Sequence, residues 1–419
     1  MSAIDDRRFS LPEWLRRFNS VGRDSLASGG SLVPLDTASL LDAASSHTGL
    51  SDFGTADFRE PLDVLVESLL CEAELTLMGR LLARGDLLNL LENRLHFVEA
   101  LRLHPEIGSG RVEAPVFIVG LPRSGTSILH ELLAGDPRLR APQSWEIRFP
   151  WPPPQTGEGD EDPRIGMAEN IFTFWNELVP EYRTMHEMGG RIPCECIQLT
   201  AHSFRSEEFL GRNQVPGYAA WLAAADLAPA YAIHHDLLRL LQWGTPDRRW
   251  VLKAPSHMMA LSWLFREYPD ARVIQTHRDP LPIMGSSVNL LQALSWMRTE
   301  RVDPDLIRAS FAGEGLAARL FAAVDFRDSG AVPAEQFMDL RFQELMADPI
   351  ATIAHVYAWL DLEFSAKIEA SMRAYLAAKP RGKHGAHDYS FADLGLDLAT
   401  ERERFSAYQA RFEVVSEIL

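Results

Sequence analysis

The chain predicts an α/β fold, a central parallel sheet flanked by helices, and three patterns carry that prediction. A short apolar run from Pro115 to Val119 is followed by a glycine-rich turn and a helical stretch from about Gly125 to Ala134. Trp250 to Lys253 and Ala271 to Thr276 read as two more buried strands, with a helix from Ser256 to about Tyr268 between them. Strand, helix and strand at so short a spacing imply a right-handed parallel crossover.

The other elements fall around this sheet. Residues 1 to about 58 are mixed and broken by Gly29, Gly30 and Pro34, which gives short helices and loops packed as an arm or cover. From Pro61 to His104 the apolar residues Leu62, Leu65, Leu69 and then Leu87, Leu91, Leu95 and Val98 recur at helical spacing, and Gly85-Asp86 divides them into a helical pair. This makes residues 1–110 an N-terminal helical segment and 111–419 an α/β domain. Trp151 to Asp162 reads as a surface loop, because it lacks apolar periodicity and holds the strongest acidic run, Gly157 to Asp162. Residues about 165 to 245 are helical and aromatic, with Trp175, Phe204, Tyr218, Trp221 and Tyr231, so about 151–245 is a helical insertion between sheet strands. A last helix holds Ile350 to Leu360, and a Gly/Lys/His-rich loop spans Lys379 to His387.

Composition limits the partners. The 419 residues carry 41 basic and 58 acidic side chains, a formal charge of −17, which argues against nucleic acid or anionic membrane as a partner. An anionic ligand needs local basic residues instead. Cys71, Cys194 and Cys196 are too few for a disulfide framework and point to a reducing compartment. Cys194-Glu195-Cys196 leaves one residue between thiols where zinc sites use two or more, so no metal is expected. The first residues are not followed by an apolar signal region, and no apolar run reaches ~18 residues, so a cytoplasmic protein without a membrane span is expected.

The segment Gly120-Leu121-Pro122-Arg123-Ser124-Gly125-Thr126-Ser127 follows a strand and opens a helix, where backbone N–H groups and the helix dipole attract an anion. It keeps the glycine spacing of the nucleoside-triphosphatase loop, a P-loop-like signature, but Thr126 stands where that loop has its lysine. Arg123 places a guanidinium inside the turn, suited to a compact anionic group joined to a 5′-phosphate. A P-loop nucleotide or small-molecule kinase is the competing reading, opposed by the missing lysine.

Pro122 to Ser127 resembles the 5′-phosphosulfate loop of sulfotransferases that use 3′-phosphoadenosine 5′-phosphosulfate (PAPS), in the arginine-bearing form of tyrosylprotein sulfotransferases and many bacterial enzymes. A second segment, Ile274-Gln275-Thr276-His277-Arg278-Asp279-Pro280 with Ser286 eight residues after Arg278, is similar to the family's 3′-phosphate site. Lys379-Pro380-Arg381-Gly382-Lys383 resembles the late basic loop that closes over the same phosphate. Leu340 to Leu345 resembles a late segment in which cytosolic members have an aromatic-acid pair, although Phe342 has no hydroxyl. Trp145-Glu146 and Lys253-Ala254-Pro255-Ser256-His257 fit the bacterial branch, and the resemblance runs from about residue 60 to the end. It implies transfer of a sulfuryl group from PAPS to an acceptor hydroxyl, with 3′-phosphoadenosine 5′-phosphate as the other product and no metal.

Such a transfer, like phosphoryl transfer, needs positioning, cations and a proton acceptor. By the same resemblance Lys253 is the catalytic-site lysine and works with Arg123. Two residues compete as base. Glu146 stands where tyrosylprotein enzymes place a glutamate, whereas His257 follows Lys253 by four residues and cytosolic members place a histidine two after theirs. A glutamate needs a pKa raised by burial, and a histidine titrates near neutrality; Glu146 is preferred. The aromatic insertion favours a small apolar alcohol or lipid as acceptor.

Overall fold

In a computed structural model describing residues 11–27, 32–154, 162–245, 248–379 and 390–418, five parallel strands form one sheet. They are β1 Val116–Gly120, β2 Leu139–Arg140, β3 Arg249–Lys253, β4 Arg272–His277 and β5 Phe337–Arg341, ordered β2-β3-β1-β4-β5. Strand residues alternate between two cores, as a sheet covered on both faces requires. Phe117 and Val119 join Leu252 and Val273 on one face, while Val116 and Ile118 join Val251 and Ile274 on the other. Helices Ala228–Gln242, Leu261–Glu267, Gly313–Asp328 and Leu398–Phe412 contribute to the first core, and Thr126–Ala134 and Pro349–Trp359 to the second.

β3 and β4 are parallel but do not pair with each other; β1 lies between them. The chain therefore leaves β1 toward one side of the sheet and later returns on the other, which opens a crevice at the C-terminal end of β1. The expected helix after β3 is two pieces, a 3-10 turn Pro255–Met259 and the helix Leu261–Glu267.

The helical pair before the sheet is present with a different break. Helix Arg59–Cys71 ends at Glu72, and helix Leu77–Leu103 begins after Thr76, whose Oγ1 accepts from the Gly79 N–H at 3.0 Å. Gly85 and Asp86 lie inside the second helix. These helices share a core with the insertion: Leu62, Leu65 and Leu91 pack with Phe204, Phe209 and Tyr218. Cys194 and Cys196 are buried thiols and Cys71 is exposed, all three free. No described helix is long and apolar enough to cross a membrane.

Candidate functional site

Gly120 ends β1 with φ of +148°, and a Cβ there would stand 2.1 Å from Thr276 Oγ1 and 2.8 Å from the Thr276 carbonyl oxygen, so only glycine fits the turn. Ser124 Oγ lies 2.5 Å from the Leu121 carbonyl oxygen and 2.6 Å from Thr276 Oγ1, tying the loop to β4. Arg123, exposed, and Gly125 both have positive φ, +67° and +91°. Arg123 Nη1 donates to the Met185 carbonyl at 3.1 Å, which brings the insertion to the loop's edge. Pro122 is half-buried, Thr126 is buried at the first position of helix Thr126–Ala134, and Ser127 is exposed one residue on. The first N–H groups of such a helix have no intrahelical acceptor and carry the positive end of its dipole.

Lys253 ends β3 opposite Ile118 of β1, and its side chain is 3% exposed. Its Nζ donates to Ser127 Oγ at 3.4 Å and is ion-paired with Glu195, the N-cap residue of helix Cys196–Thr200. Burial opposes the charge on Glu195, but the Lys253 ammonium overcomes it and holds the carboxyl below its ordinary range. Nothing in the sequence marks Glu195, which stands between two buried cysteines and meets Lys253 only through the fold.

The two expected bases are placed differently. Arg140 Nη2 donates to Glu146 Oε1 at 2.9 Å and the Gln143 N–H to Oε2 at 2.8 Å, closing a capping box on the short helix Ser144–Arg148. His257 lies under β1, edge-on to Phe117 at 5.1 Å, with Nδ1 2.7 Å from the Tyr231 hydroxyl. Its Nε2 is buried without a hydrogen-bond partner, and burial pushes its pKa down to about 3. Cys196, His234 and His257 place ligand-type atoms within 4.8 Å of one another, one short of the four ligands of a closed structural zinc site.

At the end of β4, His277 is clasped by Asp339 at 2.9 Å and the Tyr408 hydroxyl at 2.8 Å, while Asp279 caps helix Pro280–Trp296. Arg278 projects between them. Its Nη1 donates to the Arg123 carbonyl at 2.7 Å, linking the two motifs, and its guanidinium lies 4.0 Å over the Phe342 ring. Nε and Nη2 each donate to Glu417 at 2.7 Å. Phe342, with no hydroxyl to offer, supports Arg278 and borders Gly125, where an added Cβ would lie 3.4 Å from the ring. Ser286 is buried in helix Pro280–Trp296. Lys379 pairs with Glu131 at 2.6 Å and Glu187 at 2.7 Å; Arg381, Gly382 and Lys383 lie outside the described residues.

A cavity between the N-terminal helices and the insertion is lined by Leu69, Leu87, Leu90 and Phe209, with Arg148 and Arg212 on its polar side. Glu208, also on its wall, has its pKa raised by burial, and the charge of Glu195 acts on it in the same direction.

The sulfotransferase family profile matches residues 115–366. Omega-hydroxy-beta-dihydromenaquinone-9 sulfotransferase Stf3 of Mycobacterium bovis is 27% identical over 282 residues, 63% of this chain and 67% of that protein. The crystal structure of sulfotransferase STF1 from Mycobacterium tuberculosis superposes with TM-score 0.77 at 32% identity, covering 88% of this chain and 98% of that one. Sulfotransferase STF9 from Mycobacterium avium gives TM-score 0.82 at 26% identity, covering 92% and 98%.

Proposed function

This chain belongs to the sulfotransferase family, and on that premise we propose that it binds PAPS across the C-terminal ends of β1, β3 and β4 and transfers the sulfuryl group to the hydroxyl of a lipid-like alcohol. The observation that carries this reading is the meeting of Lys253 Nζ with Ser127 Oγ at the start of the helix that follows the loop. An ammonium, a hydroxyl and the positive end of a helix converge there on one point, which suits a group whose negative charge grows as its bond to the 5′-phosphate breaks. Arg123, held at the loop's edge, supplies a second cation. Removing one such preorganised donor typically costs about 2.7–4 kcal/mol of transition-state stabilisation.

The 3′-phosphate is assigned to Arg278, with Ser286 and the basic residues Arg381 and Lys383, beside Gly382, as further contacts. Arg278 is bonded to the carbonyl of Arg123, so a nucleotide on the loop presents its ribose side to this guanidinium. The acceptor is assigned to the cavity between the N-terminal helices and the insertion, where Leu69, Leu87, Leu90 and Phe209 suit an apolar chain and Asp86, Arg148, Glu208, Arg212 and Arg298 form a polar side. The sulfotransferase Stf3, by its name, acts on a hydroxylated dihydromenaquinone, an acceptor of that chemical kind.

A screen with ³⁵S-labelled PAPS against long-chain primary alcohols, isoprenoid alcohols, sterols and phenols tests the proposal, read by label and mass shift in each product. Labelled sulfate ester of an apolar alcohol is the expected result. Transfer confined to polar sugars overturns the acceptor assignment. ATP binding tighter than 3′-phosphoadenosine 5′-phosphate, with no transfer, overturns the donor assignment.

A further inference from the structure

We propose that Glu195 takes the proton from the acceptor hydroxyl, and that donor binding readies it by drawing Lys253 away; the proposal rests on the sulfotransferase reading above. The ion pair between Glu195 and Lys253 joins a carboxylate of the insertion to the cation that also reaches Ser127. One ammonium cannot serve both partners at full strength. A bound phosphosulfate offers Lys253 a more highly charged partner, and a transition state with charge growing on the bridging oxygen offers a stronger one still. As Lys253 moves toward the donor, Glu195 keeps the burial that disfavours its charge and loses the principal group that opposes that burial. Its affinity for a proton rises at the moment the nucleophile has one to lose.

Access separates Glu195 from the other acids and bases nearby. Its side chain is 23% exposed and sits on the lysine that reaches Ser127, whereas that of Glu146 is 7% exposed and both its oxygens already accept hydrogen bonds. His257 is 1% exposed and clusters with Cys196 and His234, on the side of β1 that carries Phe117. The groups acting on Glu195 are Lys253 from β3, His186 from the insertion and His130 from the loop helix, and its charge in turn raises the pKa of Tyr182 and Glu208. His130 and His186 are held uncharged near neutral pH, at about 3 and about 4, by burial. Neither competes as a cation for the carboxylate. The backbone of Glu195 is held in place because its carbonyl accepts from the Gln198 N–H at 3.0 Å and the preceding Cys194 N–H donates to Pro142 O at 2.9 Å.

The step balances without any further reactant. The acceptor oxygen forms a bond to sulfur, the bond from sulfur to the bridging oxygen breaks, and its electron pair leaves with 3′-phosphoadenosine 5′-phosphate, stabilised by Lys253. The hydroxyl proton passes to Glu195 and then to solvent as the sulfate ester departs.

Glu195→Gln keeps the size and removes the basicity. With a long-chain primary alcohol as acceptor, kcat should fall by roughly 10²–10⁴ and the acidic limb of the kcat–pH profile should vanish. Affinity for 3′-phosphoadenosine 5′-phosphate, measured by calorimetry, should stay equal or increase, since Lys253 is then free of its partner. With para-nitrophenol, whose proton is already acidic, the loss should shrink to within about tenfold. Glu195→Asp should restore the acidic limb and part of the rate, an outcome that a packing role for the side chain does not produce. Near-normal turnover of the alcohol by Glu195→Gln with the limb retained overturns the proposal. Equal losses with alcohol and phenol, or lost nucleotide affinity, also overturn it and leave Glu195 as a positioning residue for Lys253. If the unaltered protein neither binds the nucleotide nor transfers label, it is the sulfotransferase reading that fails, a result distinct from these.

Discussion

Arg278 meets the carboxylate of Glu417 through two hydrogen bonds of 2.7 Å, in a fork geometry that a phosphate would also use. Glu417 is anchored there, because its N–H donates to Asp279 Oδ2 at 2.7 Å and Asp279 is in turn held by Arg402. A 3′-phosphate must therefore displace an anion already in place. For a partly exposed pair the cost is about 1 kcal/mol, so Glu417→Gln should tighten binding of 3′-phosphoadenosine 5′-phosphate roughly fivefold and leave ADP unchanged. Arg278→Ala should weaken the first nucleotide and spare the second; calorimetry on both reads the difference, and equal changes for the two would remove Arg278 from the 3′-phosphate site. Arg278 was legible in the sequence because its neighbours in the chain are also its structural frame: His277 anchors the strand end and Asp279 caps the next helix. Glu195 was not legible, since its partner Lys253 lies 58 residues farther on and only the fold joins them. The spacing from Gln143 to Glu146 is that of a capping box, the local role in which the structure holds Glu146.

Helix Leu77–Leu103 shows how packing overrides a local breaker. A glycine in a helix costs about 0.5–1 kcal/mol relative to alanine, too little to end a helix whose leucines face a core. Continuing through Gly85 also brings Asp86 to Arg148 at 3.5 Å, Arg212 at 3.2 Å and Arg298 at 2.7 Å, a cluster that a turn at that point would dismantle. The glycine that matters is Gly79, where an added Cβ would stand 1.8 Å from the carbonyl oxygen of Arg298, while at Gly85 it would meet nothing within 4 Å. Gly85→Ala should therefore raise stability by about 0.5–1 kcal/mol. Gly79→Ala should lower it by about 1–3 kcal/mol or more, because the obstructing atoms are backbone and the two segments must separate. Urea denaturation midpoints of the two variants should move in opposite directions, and a shared direction would mean that the close approach does not bear on stability. The split of the expected helix after β3 has a similar origin: the 3-10 turn Pro255–Met259 carries His257 beneath Phe117, a position that no periodicity in Ser256 to Tyr268 encodes.

Across the described residues, the N-terminal helices, the insertion and the sheet are joined through buried polar groups as well as apolar ones, among them His130, His202, His234 and His257. His130 Nε2 lies 3.0 Å from the Val251 carbonyl oxygen of β3. His202 meets Asn93 of the N-terminal segment at 3.2 Å, and His234 and His257 bond to the hydroxyls of Tyr268 and Tyr231, each at 2.7 Å. Burial holds His130 and His257 at about 3, His202 at about 4 and His234 well below its ordinary value. All four are neutral in the folded protein above about pH 5, whereas in the unfolded chain they take up protons below about 6.5. The unfolded state then binds more protons, so stability rises with pH in this window: it is fully present above about 6.5 and is lost as pH falls toward the folded values. Each histidine contributes a slope of up to about 1.4 kcal/mol per pH unit. Carboxylates held below their ordinary range, such as Asp339, act in the same direction but only near and below about pH 4, so the interval from 6.5 to 5 belongs to the histidines. The melting temperature should be flat from pH 8 to 7 and fall steeply from about 6.5 to 5, and His202→Gln should lessen that slope by about one proton. Because Leu62, Leu65 and Leu91 share their core with Phe204, Phe209 and Tyr218, the loss should occur in a single transition. A profile level between pH 7 and 5 would show that these histidines stay neutral in the unfolded chain too or are charged in the folded one; two separated transitions would show that the N-terminal helices unfold apart from the sheet.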